Sequence, residues 1–102
     1  MVYCFDIDGT LCSQVQGDYR LAVAILDRIT HVNLLRNEGH VIKLFTARGA
    51  TSGIDWRQET VLQLEEWGLE YDELIMGKPH ADYFIDDKAT DSDDYFSRVL
   101  GG

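Results

Sequence analysis

Two aspartates stand two residues apart in the stretch YCFDIDGTL, which covers residues 3–11. A strand alternates its faces, so Asp6 and Asp8 project to the same side if the strand continues. Gly9 is the first residue that favours a break, which places the pair at the mouth of a sheet, where open α/β sheets keep their ligands. Two like charges this close need a cation or a basic side chain beside them. The pair therefore predicts a site that other parts of the chain complete.

Further polar residues stand where the later predicted strands end: Thr46 and Arg48 after the second, Lys78 after the third, Asp86 and Asp87 after the fourth. Because the carboxyl ends of parallel strands meet at one edge of a sheet, we expect these side chains to converge with the first pair. Four carboxylates with oxygen-only ligation suit Mg²⁺. A carboxylate can attack phosphorus to give an acyl phosphate, while a hydroxyl and an ammonium hold the phosphoryl oxygens. The set predicts phosphoryl-transfer chemistry.

The elements that position these residues alternate between strands and helices. We predict strands at residues 2–7, 41–45, 73–76 and 83–85, and helices at residues 19–37, 55–67 and from Asp91 or Ser92 onward. This alternation indicates a parallel sheet with right-handed crossovers. We therefore expect an α/β fold, a three-layer Rossmann-like parallel sheet of about four strands flanked by helices, as one domain over residues 1–102.

Apolar residues at helical spacing predict which face each helix buries. The first stripe comprises Leu21, Ile25, Ile29, Val32 and Leu35. The second comprises Val61, Leu64 and Trp67, and the last comprises Phe96, Val99 and Leu100. We expect these side chains to form the core together with the strands.

The charge of the chain restricts its partners. Nine Lys and Arg residues stand against 18 Asp and Glu residues, which gives a net charge of -9. Such a surface repels phosphate backbones and anionic lipid, so we expect no nucleic-acid and no membrane partner. Cys4 and Cys12 form neither a disulfide framework nor a zinc motif, and no signal peptide is apparent, which indicates a reducing cytoplasm.

The four strand-end motifs together resemble those of the haloacid dehalogenase (HAD) superfamily. The stretch DIDGTL at residues 6–11, Thr46, Lys78 and the Asp86–Asp87 pair occur in the family's order. The resemblance implies that Asp6 is the nucleophile, which forms an aspartyl-phosphate, and that Asp8 is the general acid and base.

The resemblance also assigns the ligands of the site. It implies that Mg²⁺ is held by Asp6, the main-chain carbonyl of Asp8 and Asp86, with Asp87 beside it. Phosphate and substrate binding falls to Thr46, Ala47, Arg48 and Lys78, and we expect the guanidinium of Arg48 to reach the substrate.

The resemblance further restricts the reaction to phosphate esters, because the dehalogenase and phosphonatase branches lack an acid at the position of Asp8. Only short loops stand where the family inserts a cap domain, so the chain resembles a capless member, and an uncapped site favours hydrolysis over mutase transfer. Residues 45–49, 77–79 and 83–89 are similar to those of small bacterial phosphatases of capsule and surface-polysaccharide biosynthesis. A sugar phosphate or a similar small metabolite is the expected substrate.

Two other readings compete with a phosphatase. Receiver domains of response regulators are also small acidic α/β proteins with aspartates, a threonine and a lysine around Mg²⁺, but they place the phosphorylated Asp mid-chain. Here the mid-chain strand ends in Thr46, and the Asp86–Asp87 pair follows Lys78, which fits the phosphatase order. A scaffold that keeps the fold without turnover is the third reading. Exposed sheet edges make a homo-oligomer plausible in each case.

Overall fold

A parallel sheet of three strands forms the centre of the computed structural model, which describes residues 1–101. The strands are β1 at Val2–Asp6, β2 at Val41–Thr46 and β3 at Glu73–Met76, in the spatial order β1-β2-β3. Their register pairs Phe5 with Leu44 and Leu44 with Leu74. All three carboxyl ends therefore lie at one edge of the sheet, as the alternating pattern predicts.

In the described residues, three α-helices accompany the sheet: α1 at Leu26–Asn37, α2 at Arg57–Glu66 and α3 at Ser92–Val99. The predicted cap of α3 is confirmed, because the Asp91 side chain accepts hydrogen bonds from the amides of Asp93 and Asp94. Within residues 1–101, no helix is both long enough and apolar enough to cross a membrane.

The core lies against one face of the sheet. Phe5, Leu44 and Leu74 share that face and are buried, and Phe96 of α3 stacks on Phe5 with 6.0 Å between ring centroids. The opposite face is different, since it carries the exposed side chains of Val2 (63%), Val41 (40%) and Ile75 (38%). Parallel sheets ordinarily bury both faces. The expected three layers are therefore corrected to one covered face for the described part of the chain.

The predicted fourth strand does not form. Residues 77–91 contain neither helix nor strand, and Tyr83 (85%), Phe84 (51%) and Ile85 (97%) are exposed. The apolar run is only three residues long and is flanked by Asp82 and Asp86, so little apolar burial opposes the cost of ordering and desolvating it. Over residues 1–101 the sheet has three strands where about four were expected.

The first helix is shorter than predicted. Only a single 3₁₀ turn forms at Tyr19–Leu21, and α1 begins at Leu26. The residues between them are extended because they pair with the loop after β1: the Ser13 amide donates to the Val23 carbonyl and the Ile25 amide donates to the Leu11 carbonyl. Val and Ile are β-branched and favour such extended pairing. The expected core residue Leu21 is consequently 68% exposed, whereas the later part of the stripe (Ile29, Val32 and Leu35) is buried.

The apolar stripe predicted for the last helix is also only partly buried. Phe96 is buried, but Val99 and Leu100 are 41% and 39% exposed. Val99 is the last residue of the helix and Leu100 its C-cap, so both lie at the solvent-exposed end of the helix.

Candidate active site

A cavity of about 540 Å³ opens at the carboxyl ends of the strands. Five of the residues predicted for the site border it: Asp6, Asp8, Ala47, Arg48 and Lys78. Parallel strands bring these side chains to one edge although they stand far apart in the sequence. The cavity is the candidate active site.

Asp6 is the last residue of β1, and its carboxylate faces the ammonium group of Lys78 in the cavity. The Nζ atom of Lys78 lies 3.5 Å from Oδ2 of Asp6. Burial raises the pKa of the Asp6 carboxyl, and the charge of Lys78 opposes that rise. Lys78 is itself held between two rings, 4.5 Å from the centroid of Phe45 and 4.4 Å from that of Phe84. The ammonium is therefore aimed at Asp6 by aromatic faces, which attract cations.

The loop after β1 is a tight turn that presents Asp8. The amides of Thr10 and Leu11 both donate to the carbonyl of Ile7, and the Gly9 amide donates to the carbonyl of Cys12. Gly9 has φ +79, and a Cβ there would lie 2.5 Å from Oε1 of Gln14. Only glycine adopts this backbone conformation without strain, so Gly9 fixes the turn that follows Asp8 and thereby the position of Asp8.

Cys12 lies beneath the carboxylate of Asp8. Its thiol is fully buried and contacts Oδ1 of Asp8 at 3.5 Å. Burial, reinforced by the charge of Asp8, raises the pKa of the Cys12 thiol to about 12. The thiol is therefore a neutral packing group with a weak donor rather than a nucleophile.

Arg48 makes a forked ion pair with Asp8. Its Nε donates to Oδ2 and its Nη2 donates to Oδ1, each at 2.9 Å. The remaining nitrogen, Nη1, donates to Oγ1 of Thr60 at 3.2 Å and to Oε1 of Gln63 at 2.7 Å, both on α2. The Arg48 side chain is only 1% exposed. Its guanidinium is thus directed at Asp8 and α2, and the expected contact with substrate stays a prediction.

Thr46 is buried below the cavity and does not border it. Its Oγ1 accepts a hydrogen bond from the amide of Arg48 at 3.1 Å, and its carbonyl accepts one from the amide of Lys78 at 2.9 Å. Thr46 therefore ties the two loops that carry Arg48 and Lys78 to the end of β2.

Asp86 and Asp87 lie apart from the other acids. Both are exposed, and neither borders the cavity. The pKa of Asp86 is lowered, first by the hydrogen bond from the Lys88 amide and then by one with Asp87. Within residues 1–101 no three acidic, His or Cys side chains come together as a metal site would require. Only two of the four predicted Mg²⁺ ligands meet at the cavity, so the present arrangement does not complete a magnesium site.

Two residues of the site have no counterpart among the predicted ones: Thr60 and Gln63, which hold Arg48. Tyr19 and Trp56 line the cavity with their rings in edge contact at 5.0 Å. Thr60 and Gln63 are three residues apart, so they share a face of α2. Thr60 stands four residues before Leu64, so it falls on the apolar stripe of that helix, and this position is the sequence signal that would have indicated a polar partner.

No known protein family and no curated protein matches the chain. Among solved structures, a structural-genomics target from Vibrio cholerae is 27% identical with a TM-score of 0.85, over 94% of this chain and 87% of that chain. D,D-heptose 1,7-bisphosphate phosphatase from B. bronchiseptica, complexed with magnesium and phosphate, is 15% identical with a TM-score of 0.58, over 99% and 64%. A chain of the Pnkp1/Rnl/Hen1 complex is 21% identical with a TM-score of 0.60, over 93% and 32%. The chain thus has the fold of these proteins, and it spans about a third of the chain from the Pnkp1/Rnl/Hen1 complex.

Proposed function

We propose that this chain is a phosphomonoester hydrolase of the haloacid dehalogenase superfamily that works through an aspartyl-phosphate. The observation that carries the proposal is the Asp6–Lys78 pair, Oδ2 to Nζ 3.5 Å, beside Asp8 in one cavity. A carboxylate nucleophile, a cation for the phosphoryl oxygens and a second carboxylate for proton transfer are the groups this reaction needs. The shared fold with a known phosphatase supports the proposal.

The proposed reaction has two steps on the same phosphorus atom. An oxygen of Asp6 attacks phosphorus, the bond from phosphorus to the ester oxygen breaks, and the protonated form of Asp8 gives its proton to the departing alkoxide. Asp8 then takes a proton from water, whose oxygen attacks phosphorus and releases inorganic phosphate from Asp6. Lys78 offsets the negative charge of the phosphoryl oxygens in both steps.

Thr46, Ala47 and Arg48 complete the proposed phosphate-binding region. Ala47 borders the cavity, and Thr46 supports the loops that hold Arg48 and Lys78. The amides of Arg48 and Lys78 already donate to Thr46, so the positive charge of Lys78 is the group available to an anion.

Mg²⁺ is the proposed cofactor, with Asp6, the Asp8 carbonyl, Asp86 and Asp87 as its proposed ligands. Carboxylate and carbonyl oxygens are the donors that Mg²⁺ prefers, and bound Mg²⁺ offsets charge on a phosphoryl group. A phosphatase of the same fold is complexed with magnesium. Asp86 and Asp87 stand outside the cavity, which Lys78 and Phe84 already border, so metal binding requires residues 85–91 to take another path.

The proposed substrate is a sugar phosphate or a similar small phosphorylated metabolite. The cavity of about 540 Å³ is of a size for such a molecule, and it is bordered by the rings of Tyr19 and Trp56. The neighbouring phosphatase of the same fold is named for a heptose bisphosphate.

A phosphate-release assay on the purified chain tests this function, with p-nitrophenyl phosphate and a panel of sugar phosphates, with and without Mg²⁺. Replacing a covalent nucleophile, as in Asp6→Asn, should lower the rate by at least about 10³-fold. Asp27→Asn is the matched control, because it makes the same change at an exposed position of α1. Unchanged release by Asp6→Asn would remove the mechanism, and a stable phosphorylated chain without turnover would favour a receiver-like module.

A further inference from the structure

The ion pair between Arg48 and Asp8 is built as a fixed unit rather than as a surface contact. Both nitrogen–oxygen distances are 2.9 Å, and the side chains are 1% and 13% exposed. Forked pairs of this kind constrain orientation as well as charge, because two parallel hydrogen bonds fix the plane of the carboxylate. Asp8 is therefore held in one orientation in the cavity.

The orientation of Arg48 is in turn set by α2 and by the 3₁₀ turn. Gln63 accepts from Nη1 of Arg48 at 2.7 Å and donates to the carbonyl of Tyr19 at 2.9 Å. The Tyr19 ring lies 4.9 Å from the guanidinium carbon, within the range of a cation–π contact. Thr60, fully buried, supplies the other acceptor. A continuous set of contacts thus runs from α2 through Arg48 to Asp8.

The contacts also determine which oxygen of Asp8 remains available. A carboxylate offers about four acceptor positions, two on each oxygen. Arg48 occupies one on each oxygen. The Cys12 sulfur lies 3.5 Å from Oδ1 and covers the second position there, whether its hydrogen points to Oδ1 or to the Ile7 carbonyl at 3.6 Å. The remaining position is on Oδ2, and Asp8 borders the cavity.

We propose that Arg48 is a positioning residue for Asp8, which it holds so that Oδ2 exchanges the proton with the leaving group and with water. Gln63 is a second positioning residue, because it holds Arg48. This inference rests on the proposed function, in which Asp8 is the general acid and base. In this role the guanidinium contacts Asp8 during the reaction, whereas in a substrate-binding role it would contact the phosphoryl group.

The choice of leaving group separates the two roles. An alkoxide leaving group needs a proton from Asp8, whereas p-nitrophenolate leaves without one. The ratio kcat/KM reports on steps up to transfer of the phosphoryl group to the enzyme, so loss of a general acid lowers it for alkyl phosphates and spares the aryl phosphate. Loss of a substrate contact lowers it for both, because the phosphoryl group is common to the two substrates.

The test compares kcat/KM for a sugar phosphate and for p-nitrophenyl phosphate in variants of the full chain. Arg48→Met should lower the value about 10²-fold for the sugar phosphate and less than about 5-fold for the aryl phosphate, as misplacement of an acid–base group does. Arg48→Lys should show the same selective loss, because a point charge does not form the fork. Asp8→Asn calibrates the pattern, and Arg20→Met is the control, with an arginine side chain that is 70% exposed.

Gln63→Leu provides a second test in case the Arg48 variants do not fold. It leaves both members of the ion pair in place and removes one support of Arg48, so a smaller loss of the same selectivity is expected. Selective loss in the Arg48 and Gln63 variants supports the inference. Equal loss on both substrates, or full activity in Arg48→Lys, overturns it while the proposed function stands. A wild-type chain without turnover removes the proposed function, and the inference falls with it.

Discussion

Gly49 follows Arg48 and offers a test of how tightly the loop after β2 is built. Its φ is +81, and a Cβ added there would lie 2.1 Å from the carbonyl oxygen of Ile54. Gly53 stands in the same loop with φ +75, but a Cβ there would meet nothing within 4 Å. The pair therefore separates backbone strain from steric overlap, because Gly49→Ala combines both and Gly53→Ala contains strain alone.

The expected sizes follow from these two contributions. A left-handed conformation costs an alanine about 1–2 kcal/mol, and the lower entropy of the unfolded chain returns about 0.4–1 kcal/mol. Gly53→Ala should thus lower the free energy of unfolding by about 1 kcal/mol, or the Tm by about 4–8 °C in a domain of this size. Overlap with a backbone oxygen resembles overpacking and adds about 1–3 kcal/mol. Gly49→Ala should therefore lower the free energy of unfolding by about 2–4 kcal/mol and the Tm by at least about 8 °C.

Thermal unfolding followed by circular dichroism measures both values, and urea unfolding supplies an independent free energy. The loop also carries Arg48 and borders the cavity, so Gly49→Ala should impair phosphate release more than Gly53→Ala does at a temperature where both are folded. Equal decreases in Tm for the two variants would refute the reasoning, because they would mean that the Gly49–Ile54 approach does not restrain the loop.

Three further predictions concern single side chains. Iodoacetamide at about pH 8 should modify the exposed Cys4 and spare Cys12 in the folded chain, because Cys12 is buried and burial raises the pKa of its thiol to about 12. Mass spectrometry measures which thiols are modified, and modification of both would contradict this prediction. Phe84→Ala should lower kcat/KM about 2- to 5-fold, the worth of one exposed cation–π contact with Lys78, and an unchanged value would show that the ring does not orient the ammonium. Burial lowers the pKa of His31 from 6.5, so the unfolded chain takes up the proton first, and stability should fall as the pH drops below about 6.5. His31→Gln should reduce that fall in Tm, and an equal fall would assign it to other groups.

The sequence predicts best where local pattern and tertiary structure agree. The strand at Glu73–Met76 has the predicted bounds, and the cap at Asp91 is confirmed by its hydrogen bonds. The parallel arrangement of the strands follows from the alternation of elements and brings Asp6, Asp8 and Lys78 to one cavity. Each of these features follows from residues close together in the sequence or from the order of the elements.

The sequence predicts poorly where a distant partner decides the conformation. The first helix loses its amino-terminal part because Val23 and Ile25 pair with the loop after β1, a contact that helical periodicity does not contain. The fourth strand is absent because three apolar residues between two acids do not supply enough burial to form it. The direction of Arg48 depends on Thr60 and Gln63, which belong to another helix. The first and third of these outcomes are decided by tertiary contacts, whereas the second reflects how little apolar burial the local run supplies.

The two halves of the candidate site therefore have different physical origins. The half that holds Asp8 is fixed by Arg48, by α2 and by the turn at Gly9, so its geometry is set before any substrate arrives. The half that contains Asp86 lies in residues 85–91, beyond the cavity-lining Phe84, where no helix or strand fixes the backbone. A ligand that draws Asp86 to the cavity must supply the free energy of rearranging these residues, which lowers apparent affinity but leaves the orientation of Asp8 unchanged. Substitutions in residues 85–91 should consequently alter the dependence on Mg²⁺, whereas substitutions on α2 should alter the dependence on the leaving group.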